Sequence, residues 1–135
     1  MSKIIALDYG AKRTGIAETD DLQIIASGLT TVDTDNLFDF LTSYFEKNEV
    51  EVIVLGEPKR LDGSDTHSSD DVRLLKEKLG TTFGLPVHMV DERFTSKMAF
   101  QTMIDSGLKK KQRQNKALVD EISATIILQS YLETK

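Results

Sequence analysis

The order in which strand-like and helix-like patterns follow one another constrains the fold of this chain more than any other feature. Three short apolar runs come first, at residues 3–8, 14–18 and 22–27, and short turns separate them. Short strands joined by tight turns predict an antiparallel meander. At Asn36 the apolar spacing changes to the helical period, and helix and strand patterns alternate from there. The sequence therefore predicts the order β-β-β-α-β-α-β-α-α.

The second part of this pattern contains two more strands, expected at 50–55 and 87–90, and each is reached through a helix. Such connections join strands in parallel by right-handed crossovers, which lay helices against the sheet. The expected fold is an α/β fold with a mixed five-stranded sheet, an antiparallel meander plus two parallel strands, and helices on both faces. The helices are expected to start after an N-cap at Asp35 or Asn36, after Ser68 or Ser69, near Thr95 or Ser96, and near Asn115.

Length and composition exclude several classes of protein. A chain of 135 residues is expected to form a single domain, residues 1–135, with a sizeable core. Because it has no cysteine, it can form neither a disulfide framework nor a thiolate zinc site. No apolar run approaches the roughly 20 residues needed to span a bilayer, and the first strand turns acidic too soon for a secretory signal. These features predict a cytoplasmic protein that does not bind membranes.

The charge is unevenly distributed along the chain. The net charge is −5, but residues 107–119 carry five Lys or Arg and no acid, so this segment is +5 and the remainder −10. A basic patch on an acidic body can bind a phosphate backbone, because affinity depends on the cations that reach the phosphates. A solvated charged run is the alternative interpretation. The basic residues are Lys109, Lys110, Lys111, Arg113 and Lys116.

Acidic residues stand where three of the predicted strands end. Asp8 closes the first strand, Glu57 closes the fourth, and Asp91 and Glu92 close the last. The carboxyl ends of parallel strands meet at one rim of the sheet, where α/β proteins bind ligands. One acid there is often a turn residue, but two carboxylates on one rim repel each other and require a cation. Since side chains alternate along a strand, only one of Asp91 and Glu92 is expected to point at Asp8.

A further carboxylate, Asp120, falls in the apolar stripe of the last helix. At about 100° per residue it lies within a quarter-turn of Ala124, Ile127 and Leu128. An unpaired carboxylate in such a stripe is strongly unfavourable. Asp120 therefore either meets a Lys or Arg at the sheet edge or shares a metal ion with other acids. Oxygen ligands without His or Cys suit Mg²⁺ or Mn²⁺ rather than Zn²⁺.

Four blocks together resemble the YqgF (RuvX) family, over essentially the whole chain. The blocks are 6–17, the Gly56-Glu57-Pro58 triplet with Asp62-Gly63-Ser64 after it, 86–96, and 119–132. The resemblance implies an RNase H-like fold. It also implies a metal-dependent nuclease that processes the 5′ end of precursor 16S ribosomal RNA during ribosome biogenesis.

Carried over to this sequence, the family's acidic positions fall on Asp8, Glu92 and Asp120. The resemblance thus implies that these three are catalytic and hold Mg²⁺ or Mn²⁺. Whether Asp91 takes part is left open by the sequence. Glu57, which stands at a variable position of its triplet, is either a fourth ligand or a solvated loop acid, and we favour the loop acid.

Two arginines are candidates for contacting phosphate oxygens, because a guanidinium can bind them through two N–H groups. For Arg13 the alternative is a solvated turn. For Arg93 it is a salt bridge to Asp91 or Asp120. The remaining candidate nucleic-acid contacts are expected to bind flanking backbone without reading sequence: Lys109, Lys110, Lys111 and Arg113.

Other functions fit the same residues. A Holliday-junction resolvase would act on branched DNA and would need a homodimer to cut two strands symmetrically. A non-catalytic RNA-binding factor for ribosome assembly or transcription would carry a vestigial site. A sugar-kinase or actin-like ATPase is suggested by Asp8 and Gly10, but it needs two lobes, which 135 residues do not supply. The expected partner is nucleic acid, precursor rRNA before branched DNA, bound by a monomer or a homodimer.

Overall fold

Five strands and three helices account for most of the described chain, which in this computed structural model comprises residues 2–57, 69–91 and 116–134. The strands are β1 (Lys3–Tyr9), β2 (Arg13–Thr19), β3 (Ala26–Asp33), β4 (Val50–Glu57) and β5 (Val87–Asp91). The helices are α1 (Leu37–Lys47), α2 (Ser69–Phe83) and α3 (Lys116–Thr134), and a 3-10 turn at Thr34–Asn36 precedes α1. The helix expected to begin near Thr95 or Ser96 lies outside the described residues.

The strands form one sheet in the order β3-β2-β1-β4-β5. β2 is antiparallel to both β1 and β3, whereas β1, β4 and β5 run parallel to one another. This arrangement confirms the predicted meander extended by two parallel strands. It also places β1 at the centre, with the carboxyl ends of β1, β4 and β5 along one rim.

Both faces of the sheet are covered, as the sequence predicts, because the central strands are apolar on both sides. Ile5 and Leu7 of β1 pack in a cluster with α1 and α2, while Ile4 and Ala6 pack in a second cluster with α3. The predicted stripe of α2 lies in the first cluster and is buried: Val72, Leu75 and Leu79. The second cluster takes Ala124, Ile127 and Leu128 from α3.

The third strand begins later than the sequence predicts. A strand was expected at 22–27, but β3 starts at Ala26, and the preceding residues form a loop, here called the β2–β3 loop (residues 20–25). The side chain of Asp20 accepts hydrogen bonds from the backbone N–H groups of Leu22, Ile24 and Ile25, at 3.2, 2.8 and 2.8 Å. A strand would need those donors for its ladder, so the carboxylate holds these apolar residues in a loop.

The start of α1 differs in detail from the prediction. Asn36 is the N-cap residue, but its side chain makes no cap hydrogen bond, and the chain enters the helix through the 3-10 turn instead.

No helix in the described part of the chain is both long and apolar enough to cross a membrane.

An ion pair closes the end of the sheet opposite the rim. Lys3 Nζ lies 3.2 Å from Glu18 Oε1, and the Tyr44 hydroxyl donates to the same oxygen at 3.2 Å. Burial raises the pKa of Tyr44, and the neighbouring Glu18 carboxylate raises it further. Tyr44 therefore stays a neutral donor throughout the physiological range.

Candidate active site

Acids from three neighbouring strands stand at the rim formed by the ends of β1, β4 and β5. Leu7 is paired with Leu55, so Asp8 lies one residue beyond the last registered pair of β1 and β4. Glu57 is paired with Asp91 at the ends of β4 and β5. The backbone thus brings positions 8, 57 and 91 to one edge, although they are far apart in sequence.

Asp8 and Asp91 lie on opposite faces of the sheet, because side chains alternate along each strand. In β1, Ile4 and Ala6 pack in the α3 cluster, so Asp8 lies on the α3 face of the sheet. In β5, Met89 packs against the α1–α2 cluster, so the alternation puts Asp91 on that opposite face, where it is exposed. Asp91 is therefore not the companion of Asp8. Its neighbour Glu92 lies outside the described residues.

Asp120 belongs to α3 and lies against the same face of the sheet as Asp8, because α3 approaches β2 unusually closely. Gly15 of β2 is the cross-strand partner of Asp8. A Cβ atom placed on Gly15 would overlap the backbone carbonyl of Asp120 and lie 3.0 Å from the backbone nitrogen of Glu121. Only glycine allows α3 to lie this close to β2. The same glycine thus has Asp8 beside it in the sheet and Asp120 above it.

Asp120 is paired with an arginine in this arrangement. Arg13 Nε donates to Asp120 Oδ2 at 3.1 Å, and the two side chains are 36% and 25% exposed. The sequence left open whether Asp120 meets a Lys or Arg or shares a metal ion, and the contact with Arg13 is the first of these two arrangements. It also gives Arg13 a defined partner, where a solvated turn was the alternative. A carboxylate has about four acceptor sites, so one N–H does not saturate Asp120.

The structure describes only part of the predicted site. Within residues 2–57, 69–91 and 116–134, no three His, Asp or Glu side chains are grouped so that they could hold a metal ion. The third implied ligand, Glu92, and the remaining candidate phosphate contacts lie outside that part of the chain: Arg93, Lys109, Lys110, Lys111 and Arg113.

Sequence reasoning did not single out Gly15. The signal was nevertheless present, because a glycine inside a strand pattern marks a bulge or a close backbone approach. Gly28 of β3 is a second such position, since a Cβ there would lie 2.6 Å from Glu121 Oε1. Both glycines lie under the first half of α3, so these two positions mark where the helix crosses β2 and β3.

Known proteins resemble this chain over nearly all of its length. The family model described as "RuvX: Holliday junction resolvase" matches residues 2–134. A Flavobacterium psychrophilum protein named "Putative pre-16S rRNA nuclease" is 60% identical, with 100% of this chain and 99% of the relative covered. A Bacteroides fragilis protein of the same name is 58% identical over 100% of this chain and 99% of its own length.

A solved structure, T. thermophilus RuvC in complex with Holliday junction substrate, superposes with a TM-score of 0.58 over 99% of this chain and 96% of that one. At 14% identity this similarity establishes the fold, and it confirms the predicted RNase H-like architecture. Together with the family match over residues 2–134 and the relatives near 60% identity, it leads to one assignment. The chain belongs to the RuvX family.

Proposed function

We propose that this protein is a nuclease that hydrolyses phosphodiester bonds with Mg²⁺ or Mn²⁺, and that it acts in the cytoplasm on the 5′ end of precursor 16S rRNA. The observation that carries the proposal is that Gly15 has Asp8 as its cross-strand partner and the backbone of Asp120 packed against it, which puts two acidic residues from distant parts of the sequence on one face of the sheet. The names of the relatives near 60% identity support the choice of substrate.

The residues present fit a hard divalent cation. Both acids at Gly15 offer only oxygen, which is the donor that Mg²⁺ and Mn²⁺ prefer. One residue of further strand after Asp91 would turn Glu92 to the face of Asp8, and we propose Glu92 as the third ligand. When bound, the ion supplies Lewis-acid activation and stabilises the charge that develops on the phosphate.

Arg13 is proposed to have two roles at this site. Its guanidinium holds Asp120 and offsets the repulsion between the two carboxylates while no cation is bound. Because it is 36% exposed, it is also available to a phosphate oxygen. We propose that Arg93 and the basic residues of segment 107–119 bind the flanking backbone, with residues 1–135 acting as a single domain.

Replacing Arg13 by glutamine is expected to separate these roles. Without the competing cation, Asp120 should bind Mn²⁺ about two- to five-fold more tightly in the absence of RNA, an effect of the size expected for one partly exposed charge. RNA should bind more weakly. Titration calorimetry with MnCl₂ and filter binding with RNA measure the two effects. Weaker Mn²⁺ binding in the variant would show that Arg13 supports the cation site rather than competing for it.

The proposed function is tested with an RNA that spans the leader and mature 5′ end of 16S rRNA, incubated with the protein and Mg²⁺ or Mn²⁺. We expect metal-dependent cleavage at or near the mature end, lost with EDTA and reduced at high salt as backbone contacts are screened. A four-way DNA junction is the parallel substrate. Cutting of the junction alone would identify a resolvase, and tight RNA binding without cleavage would identify a binding factor.

A further inference from the structure

Apolar side chains project into solvent from the β2–β3 loop, at the end of the sheet away from the acidic rim. Leu22, Ile24 and Ile25 are 58%, 68% and 62% exposed. Among the described residues, the other large hydrophobic side chain of comparable exposure is Leu74 on α2, which stands by itself. Single exposed apolar residues are common, but a contiguous group marks an interaction surface.

The loop is held in one conformation. Beyond the three backbone N–H groups bound by the Asp20 side chain, the Asp20 N–H donates to the carbonyl of Ile25 at 3.3 Å. Gln23 adopts a positive φ of 58° and anchors the loop by donating from Nε2 to the Ser2 carbonyl at 2.9 Å. The N–H groups of Ile25 and Ile24 lower the pKa of Asp20, so its carboxylate remains charged. A surface ordered in advance loses little entropy when a partner binds.

A groove continues the apolar surface from the loop to the end of α3. It has a volume of about 520 Å³. Its lining residues come from the loop, the first residue of β3 and α3: Ile24, Ile25, Ala26, Gln129, Leu132 and Glu133. Leu132 supplies the helix side of the apolar floor, so the surface combines a projecting tip with a recess and can receive a side chain as well as present them.

The border of this apolar surface is acidic. Glu133 lines the groove, and the loop itself contributes Asp20 and the exposed Asp21. Lys3 lies beside Asp20 and is bound to Glu18 at 3.2 Å. The negative charge at this border would repel an RNA backbone or an anionic membrane. A second copy of the chain would set the same acids against each other, which disfavours self-association. The charge therefore favours a positively charged partner.

We propose that the β2–β3 loop and the adjoining groove of α3 dock a basic amphipathic segment of a partner protein, in which apolar residues are flanked by Lys and Arg. The apolar side chains of that segment would fill the groove around Ile24 and Leu132, and its cations would meet Asp20, Asp21 and Glu133. β2 separates this surface from the rim, since Arg13 stands at its start and the loop follows its end. The partner could thus bind while the carboxylates remain accessible to substrate.

The experiment uses the full chain and two short model peptides with the same apolar pattern, one Leu/Lys and one Leu/Glu. We expect the Leu/Lys peptide to bind, with NMR shifts at Ile24, Ile25 and Leu132, and the Leu/Glu peptide not to bind. Ile24→Ser should weaken binding about ten-fold, as expected for losing one apolar contact. Leu74→Ser, which removes an equally exposed leucine elsewhere, is the matched control and should bind normally.

A charge reversal provides the decisive comparison. Asp21→Lys with Glu133→Lys should transfer the preference to the Leu/Glu peptide without changing the circular dichroism spectrum. Equal binding of both peptides by the parent protein, or no effect of Ile24→Ser, would overturn the proposal. So would a dimer in sedimentation that Ile24→Ser dissociates, or adsorption to phosphatidylglycerol vesicles, because these results would identify a second copy or a membrane as the occupant.

Discussion

The Asp8→Asn variant is expected to lose nuclease activity by about 100-fold or more while remaining folded, since even residues that only support metal ligands cost up to about that factor. Asparagine has the same shape as aspartate, so the half-buried position at the end of β1 stays filled. What disappears is the negative charge beside Gly15 that would attract the cation. Initial rates on the precursor RNA at saturating Mg²⁺ measure the loss, and thermal unfolding reports on the fold.

The matched control for this experiment is Asp91→Asn. Asp91 is also an acid at the rim, but alternation in β5 puts it on the α1–α2 face. We expect its activity to stay within about a factor of two of the parent, the size of effect typical of an exposed substitution. An equal loss in both variants would mean that general rim charge, and not the pair at Gly15, supports the reaction.

The Gly15→Ala variant is expected to lose about 3 kcal/mol of its free energy of unfolding, the upper part of the range for overpacking a core. The added methyl group would overlap the backbone carbonyl of Asp120, and backbone cannot rotate away as a side chain can. α3 must therefore move off β2, carrying Asp120 away from Asp8. Urea unfolding measures the stability, and Mn²⁺ affinity reports on the separation of the two carboxylates.

Gly28→Ala tests the same substitution where it can be accommodated. There the methyl group would meet the Glu121 side chain, 2.6 Å from Oε1 and 2.8 Å from Cγ. A flexible glutamate can adopt another rotamer, so we expect a change within about 0.5 kcal/mol. Should Gly15→Ala prove as mild as Gly28→Ala, α3 would be free to shift over the sheet, and the close approach would not be required for the fold.

Much of the fold was predictable because its elements have strong local signals. β1 and β4 are nearly continuous apolar runs, which suit strands covered on both faces. β3 has no such signal, since it is an edge strand in which Ser27 and Gly28 are exposed. The sequence predicts the strand at 22–27 instead, because the apolar residues just before β3 have the stronger strand pattern. Their loop depends on the side chain of Asp20, whose hydrogen bonds no apolar pattern records.

The candidate site was predictable as a set of acids but not as an arrangement. Asp8 and Asp120 could be found from a strand end and from a helix stripe. The ion pair of Arg13 with Asp120 joins residues 107 positions apart, so it was open until the path of α3 was known. The role of Asp91 was also open, because the face to which it points depends on which helices cover each side of β5. The catalytic roles of Asp8, Glu92 and Asp120 stay predictions.

The approach of α3 to Gly15 has a consequence for the newly made protein. One carboxylate of the pair is in β1, and the other is in α3, which is synthesised after all five described strands of the sheet. While translation is still in progress, the nascent polypeptide holds Asp8 without Asp120, and Ile4, Ala6 and Val54 lack their cover. On the proposed mechanism, a growing chain would be unable to cut the RNA around it, and the capacity for hydrolysis would arise only when α3 docks on the sheet.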